Sequence, residues 1–228
     1  MTSSSASPKA PSRAWAWVKE IAILIVSALV LSVLIKAFLF QSFWIPSESM
    51  ETTLDVGDRI LVTQWRPGPL DVRRGDIVVF EDPGTWIGGA PVEDAGGVEG
   101  AVKDALTFVG LLPEDTGNHL VKRVVGLPGE TIECCDDLGR VTVDGVPLDE
   151  PYLDAGILPS DREFSTTVPL GYVWVMGDNR PASADSRYHM GDPGGGSIPI
   201  DAIVGTSFAI AWPLEHATVF TNPFGGDL

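Results

Sequence analysis

Leu120-Val121-Lys122-Arg123-Val124-Val125 is the stretch on which the reading of the fold turns. Side chains of a β-strand alternate between its faces, so Leu120, Lys122 and Val124 share one side and Val121, Arg123 and Val125 the other. Each face then carries one cation among apolar residues. Considered alone, the fragment reads as an edge strand whose charges reach water. Comparable runs recur between turn residues along the chain: Arg59-Ile60-Leu61-Val62, Asp76-Ile77-Val78-Val79-Phe80, Val141-Thr142-Val143, Tyr172 to Met176 and Ile203 to Trp212. Their length and β-branched content predict a mainly β, indeed all-β, domain. Asp144-Gly145 supplies a hairpin turn after Val141-Thr142-Val143.

Upstream of these runs the pattern changes. Ile21 to Ile35 is an uncharged apolar run, and it continues past Lys36 through Ala37, Phe38, Leu39 and Phe40. Roughly twenty apolar residues cross a bilayer, so residues 20–41 are expected to be one N-terminal transmembrane helix, with Lys36 snorkelling to the interface. A cleaved signal would need small residues after the apolar core, yet Phe43 and Trp44 follow. A buried soluble helix with Leu, Ile and Val on every face would be unusual in so small a domain. Lys9, Arg13 and Lys19 precede the run, which places the N-terminus in the cytoplasm and residues 42–228 outside. Residues 1–19, with a Ser-, Ala- and Pro-rich start at Met1 to Ser12, are expected to be a disordered cytoplasmic tail.

The 228 residues carry a net charge of −16, and the first forty hold Lys9, Arg13, Lys19 and Lys36 against Glu20 alone, so the acidic excess lies in the rest. An acidic domain of this kind is no partner for nucleic acid, whose binding needs Lys and Arg. Cys134 and Cys135 are adjacent, and a bridge, free thiols and intermolecular pairing all remain open. His119, His189 and His216 lack metal-ligand spacing, so neither a metal nor an organic cofactor is expected. Residues 83–117 are rich in Gly and acidic side chains, with one weak apolar stretch at Ala105 to Leu112, and read as an inserted surface loop with room for a short helix. Residues 131–170 are polar and hairpin-like and read as a small cap inserted into the main domain.

Three segments carry candidate chemistry. Pro46-Ser47-Glu48-Ser49-Met50 lies just beyond the apolar run, with Met50 suited to anchor a turn that displays Ser49. Lys122 sits in the strand quoted above. Gly177-Asp178-Asn179-Arg180-Pro181-Ala182-Ser183-Ala184-Asp185-Ser186-Arg187 is dense in short polar side chains and suits a loop folded on its own hydrogen bonds. A serine hydroxyl is a poor nucleophile until a base takes its proton, and a lysine becomes such a base once burial lowers its pKa from about 10.4.

Together with Thr53-Leu54, Gly57-Asp58, Arg74-Gly75-Asp76-Ile77-Val78-Val79-Phe80, and Lys122-Arg123-Val124-Val125-Gly126-Leu127-Pro128-Gly129-Glu130, these segments resemble the type I signal peptidase family, the bacterial leader peptidases with a Ser-Lys dyad. The boxes occur in the family's order behind an apolar segment, and the resemblance runs from about Ile21 to Trp212. It implies a signal-peptidase-type β ectodomain and a membrane-bound serine endopeptidase that removes N-terminal signal peptides through an acyl-enzyme. By position it makes Ser49 the nucleophile and Lys122 the general base. It makes the Ser47 hydroxyl and the Ser49 N–H the oxyanion hole, Ser183 the residue that holds the lysine amine, and Asp185 with Arg187 a structural ion pair. The implied partners are preprotein signal peptides with small residues at the first and third positions before the cut, and the lipid bilayer.

The chain departs from the family at Pro181-Ala182, where a polar or charged pair is common, at Asp192 to Gly196, in the 83–117 insert, and in its adjacent cysteines. None of these touches Ser49 or Lys122. Two other readings compete. A self-cleaving Ser-Lys repressor-type peptidase would be soluble, and a non-catalytic surface-assembly relative would have lost its lysine.

Overall fold

The computed structural model describes residues 13–38, 40–68, 70–87 and 118–225. Met1 to Ser12 and residues 88–117, which hold most of the expected insert, lie outside the described residues. In chain order, α1 (Arg13–Phe38) is followed by β1 (Phe40–Trp44), β2 (Arg59–Thr63), β3 (Ile77–Glu81) and β4 (His119–Gly126). Four short strands come next: β5 (Thr131–Cys134), β6 (Val141–Val143), β7 (Val146–Pro147) and β8 (Phe164–Thr167). The chain then returns through β9 (Tyr172–Met176), β10 (Ile198–Pro199), β11 (Ile203–Trp212) and β12 (Thr218–Val219). Every strand-like run picked out in the sequence after residue 41 coincides with one of these strands, and the domain is mainly β.

The strands form two sheets. The larger runs β1-β2-β11-β3-β4-β9-β10, with β12 on β11, and the smaller runs β7-β6-β5-β8. All pairs are antiparallel, as hairpins and returning connections produce. The edge position expected for Leu120 to Val125 is corrected here: β4 lies inside the sheet, paired to β3 from His119 to Arg123 and to β9 from Arg123 onward. Both of its cations are accordingly buried, and each needs an internal partner.

Three apolar clusters hold the sheets. The first joins Phe43, Ile60, Val62, Val79 and Ile210 to Met50 and Leu54 of the segment after β1. The second lies between the sheets, where Val125, Trp174 and Met176 meet Ile132, Val141 and Phe164. The third packs Val78, Phe80, Val124 and Val175 on the other face of the large sheet. Burying a side chain of this size contributes roughly 1.5–3 kcal/mol. At Gly126, β4 gives way to the small sheet. A Cβ there would fall within 3.0 Å of Ile132, which is why this position tolerates no side chain. The β6–β7 turn has Asp144 at φ 51° and Gly145 at φ 77°, the left-handed pair that a two-residue hairpin requires. Cys134 and Cys135 are bonded as a disulfide.

Helix α1 begins at Arg13, so residues 13–19, expected in the disordered tail, are helical instead. From Trp17 to Leu31 its residues are exposed on every side, Leu24 by 68%. It ends against β1. Among the described residues, no helix is long and apolar enough to cross a membrane.

Candidate active site

The segment after β1 is shaped by backbone pairing and two apolar plugs. Ile45 donates its N–H to Asp58 O at 2.9 Å and accepts from Gly57 N at 2.9 Å, so the chain stays extended past the strand end. Ser47 keeps extended backbone, and Glu48–Met50 then forms one 3₁₀ turn. Met50 and Leu54 fill the first core cluster, and Met50 O accepts from Leu54 N at 2.8 Å. The turn is fixed from below, and Ser49 sits on it, 8% exposed.

Lys122 reaches this serine from β4. Its Nζ donates to Ser49 Oγ at 2.6 Å and to its neighbour's carbonyl, Val121 O, at 3.1 Å. With 2% exposure the amine has lost nearly all its water. That burial pushes its pKa down to about 8, although the nearby carboxylates of Asp185 and Asp178 pull the other way. Ser47 Oγ lies 3.4 Å from Ser49 Oγ, on the same side of the turn. An apolar cleft of about 360 Å³ opens beside the pair, lined by Ile45, Pro46, Ser47, Ser49, Met50, Ile87, His119, Leu120 and Val121.

The 177–188 loop closes the site from behind. Asn179 donates its N–H to Ser49 O at 3.2 Å and its Nδ2 to Glu48 O at 3.0 Å. Gly177 presses on the same carbonyl, so that a Cβ at this position would lie within 3.0 Å of both Ser49 O and Ser183 Oγ. Ser183 is therefore brought to the site and buried at 3% exposure. The expected grip on the lysine is not made: Ser183 Oγ has no hydrogen-bond partner among the described residues, and the amine's bonds go to Ser49 and Val121. Asp185 and Arg187 meet as a two-pronged pair, Nε to Oδ1 and Nη2 to Oδ2 both at 2.8 Å, at 0% and 1% exposure. Asp185 Oδ2 also accepts from Gly177 N at 3.0 Å, so this pair supports the loop from within.

Sequence reasoning assigned no task to a second buried pair. Arg123, one residue from Lys122 and so on the opposite face, donates Nε to Asp178 Oδ1 at 2.8 Å and Nη2 to Oδ2 at 2.6 Å. Its Nη1 donates to Gly75 O at 2.8 Å, and Thr53 donates its hydroxyl to Asp178 Oδ2. Two adjacent cations in an apolar strand were the available sign, because an internal strand must bring a carboxylate to a buried guanidinium, which it can neither solvate nor deprotonate. The arrangement unites a serine hydroxyl, a desolvated amine in hydrogen-bond reach and an apolar cleft beside both. That constellation suits acyl transfer from a peptide.

Comparison with known proteins places the chain in a family. The family model "Signal peptidase, peptidase S26" matches residues 15–212. A probable signal peptidase I of Mycobacterium leprae is 39% identical over 90% of this chain and 78% of that protein. A signal peptidase I of Mycobacterium tuberculosis is 40% identical over 86% and 72%, and one of Bacillus licheniformis 31% identical over 88% and 89%. On this agreement in sequence, the chain belongs to the type I signal peptidases, serine hydrolases of the S26 family that remove signal peptides.

Proposed function

We propose that Ser49 is the nucleophile and Lys122 its general base, in a peptidase that works at a bilayer surface. The observation that carries this reading is the 2.6 Å contact between Lys122 Nζ and Ser49 Oγ, made by a lysine with 2% exposure. The neutral amine accepts the Ser49 proton as Oγ attacks the scissile carbonyl. Negative charge then grows on the carbonyl oxygen, and the Ser47 hydroxyl with the Ser49 N–H donates to it. The resulting ammonium gives its proton to the departing amine, which leaves the signal peptide esterified to Ser49. Lys122, neutral again, takes a proton from water, and the hydroxide releases the signal peptide as a carboxylate. Asp185 and Arg187 hold the loop beneath, and Ser183 lines it with no hydrogen bond to the amine.

The substrates are preproteins with small residues at the first and third positions before the cut. The apolar cleft with Ile45, Leu120 and Val121 in its wall supports uncharged side chains at these positions, and the small-residue preference follows the family. Pockets of this sort discriminate by roughly 1–3 kcal/mol per methylene, so shared residence at the membrane adds selectivity. Residues 20–41 serve as the anchor, with the N-terminus cytoplasmic and the catalytic domain of residues 42–228 outside. Support comes from α1, whose apolar side chains from Trp17 to Leu31 are exposed on all faces, a surface that lipid covers and water does not. Residues 83–117 and 131–170 are inserts into this domain.

Reconstituting the full chain in vesicles with a preprotein bearing an Ala-x-Ala site, and sequencing the new N-terminus, tests the reading. A chain starting at residue 42 should cut short soluble peptides but process the vesicle-embedded preprotein at least tenfold more slowly, by loss of effective concentration (on the order of 10² or more). Equal rates for the two chains on the embedded preprotein would remove the membrane from the mechanism.

A further inference from the structure

Glu150 and Tyr152 lie between β7 and β8, in the inserted region, yet their side chains meet the strand and the loop that build the site. The Glu150 side chain is 4% exposed and takes Arg180 in a two-pronged pair, Nη1 to Oε2 at 3.1 Å and Nη2 to Oε1. Tyr152 donates its hydroxyl to the same Oε1 at 2.7 Å. Its ring lies under the Arg123 guanidinium at 4.1 Å, and its carbonyl accepts from Thr52 Oγ1 at 3.0 Å. Both arginines stand one step from the reacting atoms. Arg123 follows Lys122 on β4 and clasps Asp178, while Arg180 donates Nε to Gly177 O at 3.0 Å. Gly177 and Asp178 lead into Asn179, whose N–H holds the Ser49 carbonyl.

A buried ion pair is weak evidence for stability, because removing two charges from water costs about as much as their attraction returns. An apolar plug would close this seam as well, so the chemistry of the group calls for another purpose. We propose that Glu150 and Tyr152 are positioning residues for the Ser49–Lys122 pair: by fixing Arg123 and Arg180 together they hold β4 and the 177–180 loop in the register that brings Nζ to Oγ. The proposal rests on the reading of Ser49 and Lys122 given above. It has an electrostatic signature too. The carboxylates that face Lys122 are Asp185 and Asp178, and each has its own arginine, Arg187 and Arg123. Arg180 also feels Asp185, and Glu150 is the acid bonded to it. Neutralising Glu150 leaves the positive charge of Arg180 less compensated, which favours the neutral amine of Lys122.

The experiment compares full-length Glu150→Gln, Tyr152→Phe and Tyr152→Leu with the parent on a soluble peptide substrate, recording kcat, the pH profile of kcat/KM and the melting temperature. Glu150→Gln is expected to lower kcat about tenfold through misplacement of the pair. It should also move the ascending limb to lower pH by roughly half a unit. Tyr152→Phe keeps the ring over Arg123 and should fall between the parent and Tyr152→Leu. A merely structural role would shrink the active fraction and leave the limb where it was. Parent-like kcat in Glu150→Gln and both Tyr152 variants, or a loss in Glu150→Gln with an unmoved limb, overturns the proposal. Should Tyr152→Leu fail to fold, the near-isosteric Glu150→Gln and Tyr152→Phe decide alone. Ser49→Ala is assayed alongside. Activity there overturns the reacting pair itself, whereas an inactive Ser49→Ala with parent-like Glu150 and Tyr152 variants overturns only the positioning role.

Discussion

Replacing Lys122 by Met keeps the length and apolar stem of the side chain and removes the base, so it separates the cost of burying the amine from its use. Burial lowers the Lys122 pKa from 10.5 to about 8, against the opposing pull of Asp185 and Asp178. At about 1.4 kcal/mol per unit, the charged amine costs the folded state about 3 kcal/mol. The sign follows from proton counts. Below about pH 8 the amine is charged in both states and the full penalty applies. Between there and 10.5 the unfolded chain binds more protons than the folded one, so stability rises with pH and the penalty fades. Above 10.5 it is gone. Urea unfolding of both proteins in detergent, followed by tryptophan fluorescence from pH 6 to 11, should therefore give curves that converge by about 3 kcal/mol as pH rises. The hydrogen bonds that Met gives up, about 1 kcal/mol each, displace the curves without tilting them. Activity of the parent should climb through an ionisation near 8, and Lys122→Met should be inactive throughout. Parallel stability curves, or an active Met variant with the same ascending limb, would refute the reasoning.

Two further substitutions probe the rest of the site. Ser47→Ala removes one of two proposed oxyanion donors and should lower kcat by about 10² to 10³ with folding intact, as a peptide-cleavage assay beside a melting curve will show; a loss as deep as that of Ser49→Ala would exchange the two serines' roles. Gly177→Ala sets a methyl group within 3.0 Å of Ser49 O and Ser183 Oγ, so it should cost about 1–3 kcal/mol of stability and about 10² in kcat by displacing the serine turn, and a parent-like variant would mean that the loop has slack there.

Strand periodicity made much of the fold readable. Ile77 to Phe80 and Tyr172 to Met176 are apolar runs bounded by turn residues, and both became strands. Phe40–Trp44 was hidden, because its aromatic residues continue the apolar run and suit a membrane interface as well as a strand. Thr131–Cys134 and Phe164–Thr167 were hidden in a polar stretch, since only one face of each is covered. Periodicity assigns faces but not neighbours, and for that reason β4 read as an edge. The same limit explains the site. Ser49 and Lys122 were found through their motifs, whereas Arg123 needed Asp178, fifty-five residues away, before its burial made sense. Ser183 was placed by family position, and a hydroxyl's bonding partner depends on ångström-scale packing that no motif encodes.

Cleavage by Ser49→Ala tests the central claim most directly. Full-length parent and variant are incubated with a purified preprotein carrying an Ala-x-Ala site, and the new N-terminus is quantified by sequencing over hours. The account predicts that the variant folds as the parent does, since a small polar group on a turn is lost without a cavity, while its rate falls on the order of 10⁶, to background. Correct processing by Ser49→Ala at a rate near the parent's would contradict it.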